Sequence, residues 1–468
     1  MSFTSPSFFF GFFPLFLVIY WMTPARLRAY LILGASYLFY AAWQPQYALL
    51  LGLVTLVSFL VGRGVTTDNP KRNLRLLSLG VVFNLGVLGY FKYSGFGLEA
   101  LKGLLGGLGL ETQGWLSPTL NLALPVGLSF YVFSAISYMV DVYRKEAQPE
   151  PSPWRFAAYL SFFGYLLNGP IQRYQKTGPQ FAAPQMETDL FGWGAMRFMV
   201  GFSKKVLIAD SLAPLVQAAF SVPNPSMADA WLGAFAYTIQ LYYDFSGYSD
   251  MAIGVAAMLG LRIPENFRHP YTAQSITEFW QRWHLSLSSF LRHYLYIPLG
   301  GNRKGDLRTY ANLAITMVLG GLWHGANWTF VVWGVYNGLF LMLERYLKDR
   351  FKRPPPPIWY AVPKMLVIVV LGRILFVSDS LQDAANMYLG AFGMYGLGLS
   401  LSVSLALTPE RVAVLVLGTA LCYGAPHLDH LELQRYLPAV RTLVFPLFVV
   451  ALLLASAHEF VPFLYFRF

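Results

Sequence analysis

The sequence predicts an all-α, polytopic integral membrane protein, and three observations lead to this fold class. Hydrophobic residues make up 56% of the 468 positions and charged residues only 12%, whereas soluble chains carry about 25% charge. Apolar runs of the length that crosses a bilayer recur along the chain. The excess of lysine and arginine, which gives a net charge of +11, gathers in alternate loops. A water-soluble enzyme, a disordered chain, a collagen and a coiled coil are thereby excluded.

The apolar runs predict about eleven transmembrane helices, together with re-entrant or interfacial helices. Several runs are too short to cross alone. Run 156–167 ends at Asn168-Gly169-Pro170, which indicates a re-entrant segment buried in protein. The first run has no basic residue before it, so we expect a retained span rather than a signal peptide. The runs are 7–21, 29–43, 47–61, 76–90, 122–140, 156–167, 191–200, 231–243, 249–261, 311–322, 328–343, 362–377, 384–404, 412–423 and 443–457.

The basic residues predict the orientation of the chain in the membrane. Arg26 and Arg28 follow the first run, and further arginines and lysines follow the third and fifth runs. Loops after the second and fourth runs carry little charge. Because positive charge marks cytoplasmic loops, we expect an external N-terminus and no nucleic-acid partner. A single cysteine, Cys422, allows no disulfide within the chain.

The longest polar stretch, residues 262–308, should face the cytoplasm, and it contains a predicted amphipathic helix. Ser275 followed by Glu278 is a capping box, so a helix should begin there. Three- and four-residue spacing puts one polar set on a single face of that helix. Either the helix lies on the membrane surface, or its polar face lines a pocket in which arginine binds phosphate. The polar set is Gln281, His284, Ser288 and Arg292, with Arg282 beside it.

His324 is predicted to lie at the tip of a helical hairpin inside the membrane. Apolar runs precede and follow it, and basic residues stand at the far end of each run. The 16 residues from Arg308 to His324, at about 1.5 Å each, reach roughly 24 Å into a core of about 30 Å. An ionisable residue at that depth is a candidate functional residue. The alternative is a packing histidine at the membrane interface.

The residue types around His324 favour general-base chemistry. A neutral imidazole can take a proton from a hydroxyl group. No serine or cysteine stands in a nucleophile-elbow context, and no histidine pair has metal-ligand spacing, so we expect no metal. Asp244 and Asp250 lie in apolar company, where structural hydrogen bonding and substrate contact are equally good interpretations. The tail 462–468, PFLYFRF, is typical of an aromatic interface belt.

Several motifs together resemble the membrane-bound O-acyltransferase family, in its bacterial branch that acetylates alginate and related exopolysaccharides. Hydropathy fits along nearly the whole chain, and the strongest resemblance lies between Tyr243 and Asn327. The motifs are DFSGYSDMA at 244–252, EFWQRWHLS at 278–286, YLYIPLGG at 294–301, LWHG at 322–325 and the aromatic tail.

The resemblance implies a single membrane domain over residues 1–468, with helices around a central funnel and a catalytic region at about 243–345. It implies a catalytic histidine at His324 and a second functional histidine at His284. Beside these histidines, the substrate-binding candidates in the sequence are Gln281, Arg282, Ser288, Arg292, Asn327, Asp244 and Asp250.

The resemblance also implies the reactants and the location. An acyl donor, acetyl-CoA above all, would enter from the cytoplasm, with no tightly bound cofactor. The acetyl group would leave on the outer side of a bacterial inner membrane, for a partner protein that acetylates the polysaccharide. Because a related branch uses a partner peptide that ends in a similar motif, Tyr465 is a candidate acyl carrier.

Two other functions stay open at the level of the sequence. The same chemistry could transfer D-alanine or a fatty acyl group. A transporter or flippase could use His324 as a proton relay, although no pair of interrupted helices indicates an inverted repeat.

Overall fold

The computed structural model describes residues 2–109, 123–351, 356–424, 430–457 and 462–464. Within these ranges the chain is helical and has no β-strand, as the composition predicts. Three described helices are long and apolar enough to cross a membrane, namely Pro45–Gly64, Pro70–Gly107 and Ile358–Val377. The predicted total of about eleven crossings stays a prediction. The chain divides into two compact units.

The first unit comprises residues 1–186 and 259–263. Residues 158–170 of this unit are all buried, and Phe162 breaks their helix where a re-entrant segment is predicted. Its described α-helices are α1 Phe13–Met22, α2 Arg28–Ala41, α3 Pro45–Gly64, α4 Pro70–Gly107, α5 Leu128–Tyr143, α6 Pro153–Ser161, α7 Phe163–Leu166 and α8 Tyr174–Thr177.

The second unit, residues 187–258 and 264–468, contains all the candidate site residues. Its described α-helices are α9 Thr188–Ser203, α10 Ser211–Phe220, α11 Met227–Met258, α12 Ile276–Trp280, α13 Leu285–Leu291, α14 Asp306–His324, α15 Trp328–Phe351, α16 Ile358–Val377, α17 Leu381–Ala391, α18 Leu401–Ala406, α19 Pro409–Gly424 and α20 His430–Ala457.

Helices α9 and α11 of the second unit pack closely against each other, and glycines allow their backbones to touch. A Cβ added to Gly194 would lie 2.7 Å from the carbonyl oxygen of Gly254, and one added to Gly201 would lie 2.5 Å from that of Gly247. The two glycines are seven residues apart on each helix, so they lie on one face. Small residues at this spacing let two backbones touch, as in membrane helix pairs.

The sequence predicts the α14–α15 hairpin, and its two helices are packed in the same way. A Cβ on Gly321 would lie 2.2 Å from the carbonyl oxygen of Phe330, and one on Gly334 would lie 2.6 Å from that of Met317. The two helices are joined by only three residues, 325–327. His324, the last residue of α14, therefore sits at the tip of the hairpin.

The prediction of one helix from Ser275 to Arg292 is wrong. Ser275 does cap α12, with its Oγ accepting a hydrogen bond from the Glu278 N–H at 3.1 Å. However, the helix ends at Trp280, and a new helix, α13, starts after His284, whose φ is +46°. Gln281 and His284 therefore do not share a helix face with Ser288 and Arg292.

A pair of alanine substitutions tests the glycine contact between α9 and α11. Gly194→Ala should lower the melting temperature of the purified protein, because its methyl group meets backbone atoms at 2.7 Å, and overpacking typically costs about 1–3 kcal/mol. Gly192→Ala is the matched control, since nothing lies within 4 Å of its added Cβ on the same helix. Thermal unfolding in detergent measures both. Equal melting temperatures for the two variants would contradict the packing described.

Candidate active site

His324 is enclosed by aromatic rings at the tip of the α14–α15 hairpin. Its side chain is buried, and its ring lies 5.1 Å from that of Phe376 and 5.2 Å from that of Trp333, both edge-on. The helix stops here because Gly325 turns into extended backbone. Asn327 begins the next helix, since its Oδ1 accepts a hydrogen bond from the Thr329 N–H at 3.1 Å. The hairpin therefore delivers one imidazole into an apolar enclosure.

His284 lies beside His324, held by contacts from distant parts of the chain. Its Nδ1 is 3.1 Å from Oδ1 of Asn266, and the Ser286 hydroxyl donates to the same oxygen at 2.9 Å. Because an amide oxygen only accepts, Nδ1 is the protonated nitrogen and Nε2 the basic one. Phe245 of α11 packs edge-on against the ring at 4.7 Å.

The two histidines form a pair in which one imidazole stays neutral. Their ring centroids are 6.3 Å apart, and Trp323 touches both rings. Burial lowers the pKa of His284, in the connection between α11 and α14, to about 3. Because residues 262–308 are predicted to face the cytoplasm, the sequence predicts that His284 lies nearer to it than His324. The structure instead places the two rings next to each other.

A narrow cavity of about 190 Å³ opens onto His324. Few of the side chains that line this cavity are polar. Two of the polar ones differ in exposure, because Arg292 is exposed and His324 is buried. The cavity therefore joins an exposed cationic group to a buried imidazole along an apolar wall. Its lining is Trp280, Leu287, Ser288, Leu291, Arg292, Tyr296, Leu313, Thr316, Met317, Gly320, His324, Trp333 and Leu341.

Three other candidates do not line this cavity. Gln281 is exposed. Arg282 forms an ion pair with Glu278 and donates a hydrogen bond to the Thr272 hydroxyl. Asn327, besides capping α15, donates from Nδ2 to the backbone carbonyl of Asp379 at 2.7 Å.

Asp250 is held in a buried ionic network between α9 and α11. One of its oxygens accepts from Nε and Nη2 of Arg197 at 3.0 and 2.8 Å, and the other accepts from Lys204 at 2.6 Å. Arg197 also pairs with Glu265. The carboxylate thus links the two helices, which is the structural interpretation left open by the sequence.

Asp244 and Lys205 form a second buried ion pair, here called the tail clamp. Nζ of Lys205 lies 2.6 Å from Oδ1 of Asp244. Asp244 also accepts a hydrogen bond from the backbone N–H of Leu464 at 3.0 Å. Phe463 is fully buried, with Lys205 Nζ 4.8 Å above its ring and Tyr248 packed edge-on at 4.7 Å. Tyr465 lies outside the described residues.

Comparison with known proteins decides the family. The model of the membrane-bound O-acyltransferase family matches residues 10–378. The chain belongs to the membrane-bound O-acyltransferase family. It is 42% identical to the "Probable alginate O-acetylase AlgI" of Azotobacter vinelandii and 43% identical to that of Pseudomonas putida, each over 100% of both chains. It is 33% identical to the peptidoglycan O-acetyltransferase of Helicobacter pylori, over 85% of this chain and 81% of that one.

As a member of the membrane-bound O-acyltransferase family, the chain is an acyltransferase and takes an acyl donor as substrate. The family match favours acyl transfer over the transporter alternative. Among the described residues, no group of three or more His, Cys, Asp or Glu side chains is arranged to hold a metal ion.

Sequence reasoning misses several residues that organise the site. Asn266 is one, because its contact with His284 spans 18 positions. Sequence reasoning also misses Lys205, Arg197 and Arg373. Each of these residues is a cation inside or beside an apolar run. That position is itself a signal, because a charge in such a run requires a partner or a function.

Filling the cavity should block acyl transfer without unfolding the protein. Ser288→Phe places a ring in the space beside His324, and we expect the transfer rate to fall at least tenfold, about 1.4 kcal/mol. Ser289→Phe is the matched control, since Ser289 is next in the chain but does not line the cavity. Initial rates with a saturating donor measure the effect. Similar rates for both variants would contradict the assignment of the cavity.

Proposed function

We propose that this chain is a membrane O-acetyltransferase that moves acetyl groups from a cytoplasmic donor across the membrane for O-acetylation of a secreted polysaccharide such as alginate. The observation that carries the proposal is the identity above 40% over full length to two proteins named as alginate O-acetylases. The proposed location is the bacterial inner membrane, with the whole chain, 1–468, acting as one membrane domain. An extracytoplasmic partner protein would receive the acetyl group.

In the proposed reaction, His324 is the general base. It takes the proton of an acceptor hydroxyl while that oxygen attacks the thioester carbonyl. The C–O bond forms, the C–S bond breaks, and the proton passes to the departing thiolate. The burial of His324 among aromatic rings supports this role, because the rings of Trp333 and Phe376 shield part of the imidazole from water that would hydrolyse the thioester. His284, held by Asn266, would orient the reactants beside it.

The cavity supports a thioester donor such as acetyl-CoA, with no tightly bound cofactor. A donor of this kind has an anionic phosphate part, a slender arm and a small acyl group. Arg292 is exposed and suits phosphate, whereas the apolar wall suits the arm, and Ser288 is part of the lining. The limited volume favours an acetyl group over a long fatty acyl chain.

Loss of the general base tests this mechanism. His324→Ala should lower acetyl transfer by about 10²–10⁴-fold, the usual contribution of general-base catalysis. His293→Ala is the control, because His293 is a histidine of the neighbouring helical segment that does not line the cavity. Transfer of radiolabelled acetyl from acetyl-CoA by purified protein with its partner is the measurement. Full activity of the His324→Ala protein would refute the assignment, provided that both variants elute as folded protein.

We also propose that the C-terminal tail takes part in the reaction, with Tyr465 as a transient acyl carrier. The tail clamp supports this proposal. It holds the backbone of Leu464, the residue before Tyr465, by a buried carboxylate on α11. The same helix turn carries Phe245, which packs against His284. The phenol oxygen would accept the acetyl group as an ester and then lose it to the partner, regenerating the phenol.

Two variants separate the tail's chemistry from its placement. Tyr465→Phe should abolish the acetylated C-terminal peptide and transfer to the partner, because the phenol oxygen is lost. Asp244→Asn should lower the amount of acetylated C-terminal peptide and the rate of transfer to the partner severalfold, because it weakens the hydrogen bond from the Leu464 N–H. Peptide mass spectrometry after exposure to the donor measures the ester. Unmodified Tyr465 in an enzyme that turns over would contradict the carrier role.

The nearest competing function is transfer of another acyl group, such as D-alanine, by the same site. Parallel assays with acetyl, D-alanyl and palmitoyl thioesters of one carrier thiol distinguish these donors. We expect acetyl transfer to be the fastest.

A further inference from the structure

Gly320 is a glycine in the interior of α14, where glycine is less favourable than alanine, and the packing of the hairpin does not explain it. Its neighbour Gly321 is explained, because a Cβ there would lie 2.2 Å from the carbonyl oxygen of Phe330. Among the residues that the structure describes, a Cβ on Gly320 would meet one atom within 4 Å, Cδ1 of Leu291 at 3.2 Å. The space left by the missing side chain of Gly320, here called the notch, therefore receives the end of a leucine.

The notch lies partway along the cavity that leads to His324, since Gly320 and Leu291 both line it. Gly320 stands four residues before His324 on α14, so the two share a face and lie about 6 Å apart along the helix axis. Leu291 ends α13, which begins after His284, and the exposed Arg292 follows it. The contact between Leu291 and Gly320 thus separates the histidine end of the cavity from its exposed end.

The wall on the near side of this contact is formed in part by Leu313. It stands seven residues before Gly320 on α14 and is half-buried, whereas Gly320 is buried. The cavity volume of about 190 Å³ extends along α14 from Leu313 to His324, roughly 16 Å of helix. The passage is therefore narrow, and a molecule that enters beside Leu313 passes Leu291 before it reaches His324.

The position of the Leu291 side chain controls the width of this passage. Because its Cδ1 lies against the notch, the end of the leucine is held aside from the path to His324. A side chain at Gly320 would drive the leucine into that path, since close-packed atoms cannot share the same space. A smaller residue in place of Leu291 would widen the path.

We propose that Gly320 and Leu291 determine which acyl donors reach His324, by fixing the cross-section of the passage. The notch holds Leu291 aside, and the leucine leaves a width that fits an unbranched thioester arm with an acetyl group. Donors whose acyl group branches next to the carbonyl, such as isobutyryl thioesters, are excluded. The identity of the donor rests on the proposed function, whereas the width of the passage does not.

Acyl selectivity tests the role of Leu291, with the partner protein as acceptor. The ratio of kcat/KM for acetyl-CoA to that for isobutyryl-CoA should fall at least tenfold in Leu291→Ala, because the shorter side chain widens the passage. This ratio does not depend on the fraction of folded protein, so a loss of stability cannot produce the change. Leu295→Ala is the matched control, since Leu295 does not line the cavity. An unchanged ratio in Leu291→Ala, or an equal fall in the control, overturns the proposal.

A compensating pair of substitutions tests the notch itself. Gly320→Val fills the notch and drives Leu291 into the passage, so kcat/KM for acetyl-CoA should fall at least tenfold. Combining Gly320→Val with Leu291→Ala should restore most of the wild-type value, because the displaced leucine is gone. Gly86→Val is the control, since nothing lies within 4 Å of a Cβ added there. A double variant that melts as the wild type does but recovers no activity overturns the role of the notch.

Cysteine labelling tests the width of the passage without any acyl transfer. In a Cys422→Ala background, which removes the single natural cysteine, a cysteine replaces either His324 or Leu313. The slender iodoacetamide should alkylate both variants, whereas the bulky N-tert-butyl iodoacetamide should alkylate Leu313→Cys alone. Adding Leu291→Ala should let the bulky reagent reach His324→Cys. Intact-mass spectrometry measures the adducts. Equal labelling of both cysteines by the bulky reagent, or no labelling of His324→Cys by either reagent, overturns the proposal.

The two kinds of experiment distinguish failure of the proposed function from failure of this inference. Absence of all acetyl transfer in the wild type would refute the proposed function, while the labelling pattern would still report the width at Leu291. Size-dependent labelling combined with an unchanged acyl selectivity in Leu291→Ala would mean that donors do not take this passage, and would overturn the inference alone.

Discussion

Backbone contact between α14 and α15 is the constraint on which the site depends. Gly321 and Gly334 let the two helices touch without side chains between them, and Gly325 ends α14 at His324. The hairpin is then narrow enough for Trp333 and Phe376 to close around the imidazole. A looser hairpin would leave this ring in a wider space, with water beside it.

Two buried carboxylates on α11 are paired with cations. Asp250 and Asp244 meet Arg197 of the neighbouring α9 and Lys205 of the helical turn after it, and these ion pairs link the helices and the tail. Such pairs add little stability in themselves, but removal of one partner leaves a costly isolated charge.

Local patterns predicted much of this site, because its main features are local. The hairpin follows from the apolar runs on either side of His324, and the Ser275 cap follows from its spacing to Glu278. The polar face from Gln281 to Arg292 was a wrong prediction, because a left-handed residue at His284 resets the helix. That conformation is secured by Asn266, which is distant in the sequence. Spacing cannot reveal such a contact.

In the proposed reaction, an acetyl group crosses the membrane through the site at His324. Sealed proteoliposomes test it most directly, with radiolabelled acetyl-CoA supplied on one face only and the acceptor enclosed on the other. We expect labelled acceptor inside, no label on an acceptor added outside, and CoA retained on the side where the donor was added. Acetyl-CoA or CoA inside the vesicles, or acetylation confined to the donor's side, would contradict it.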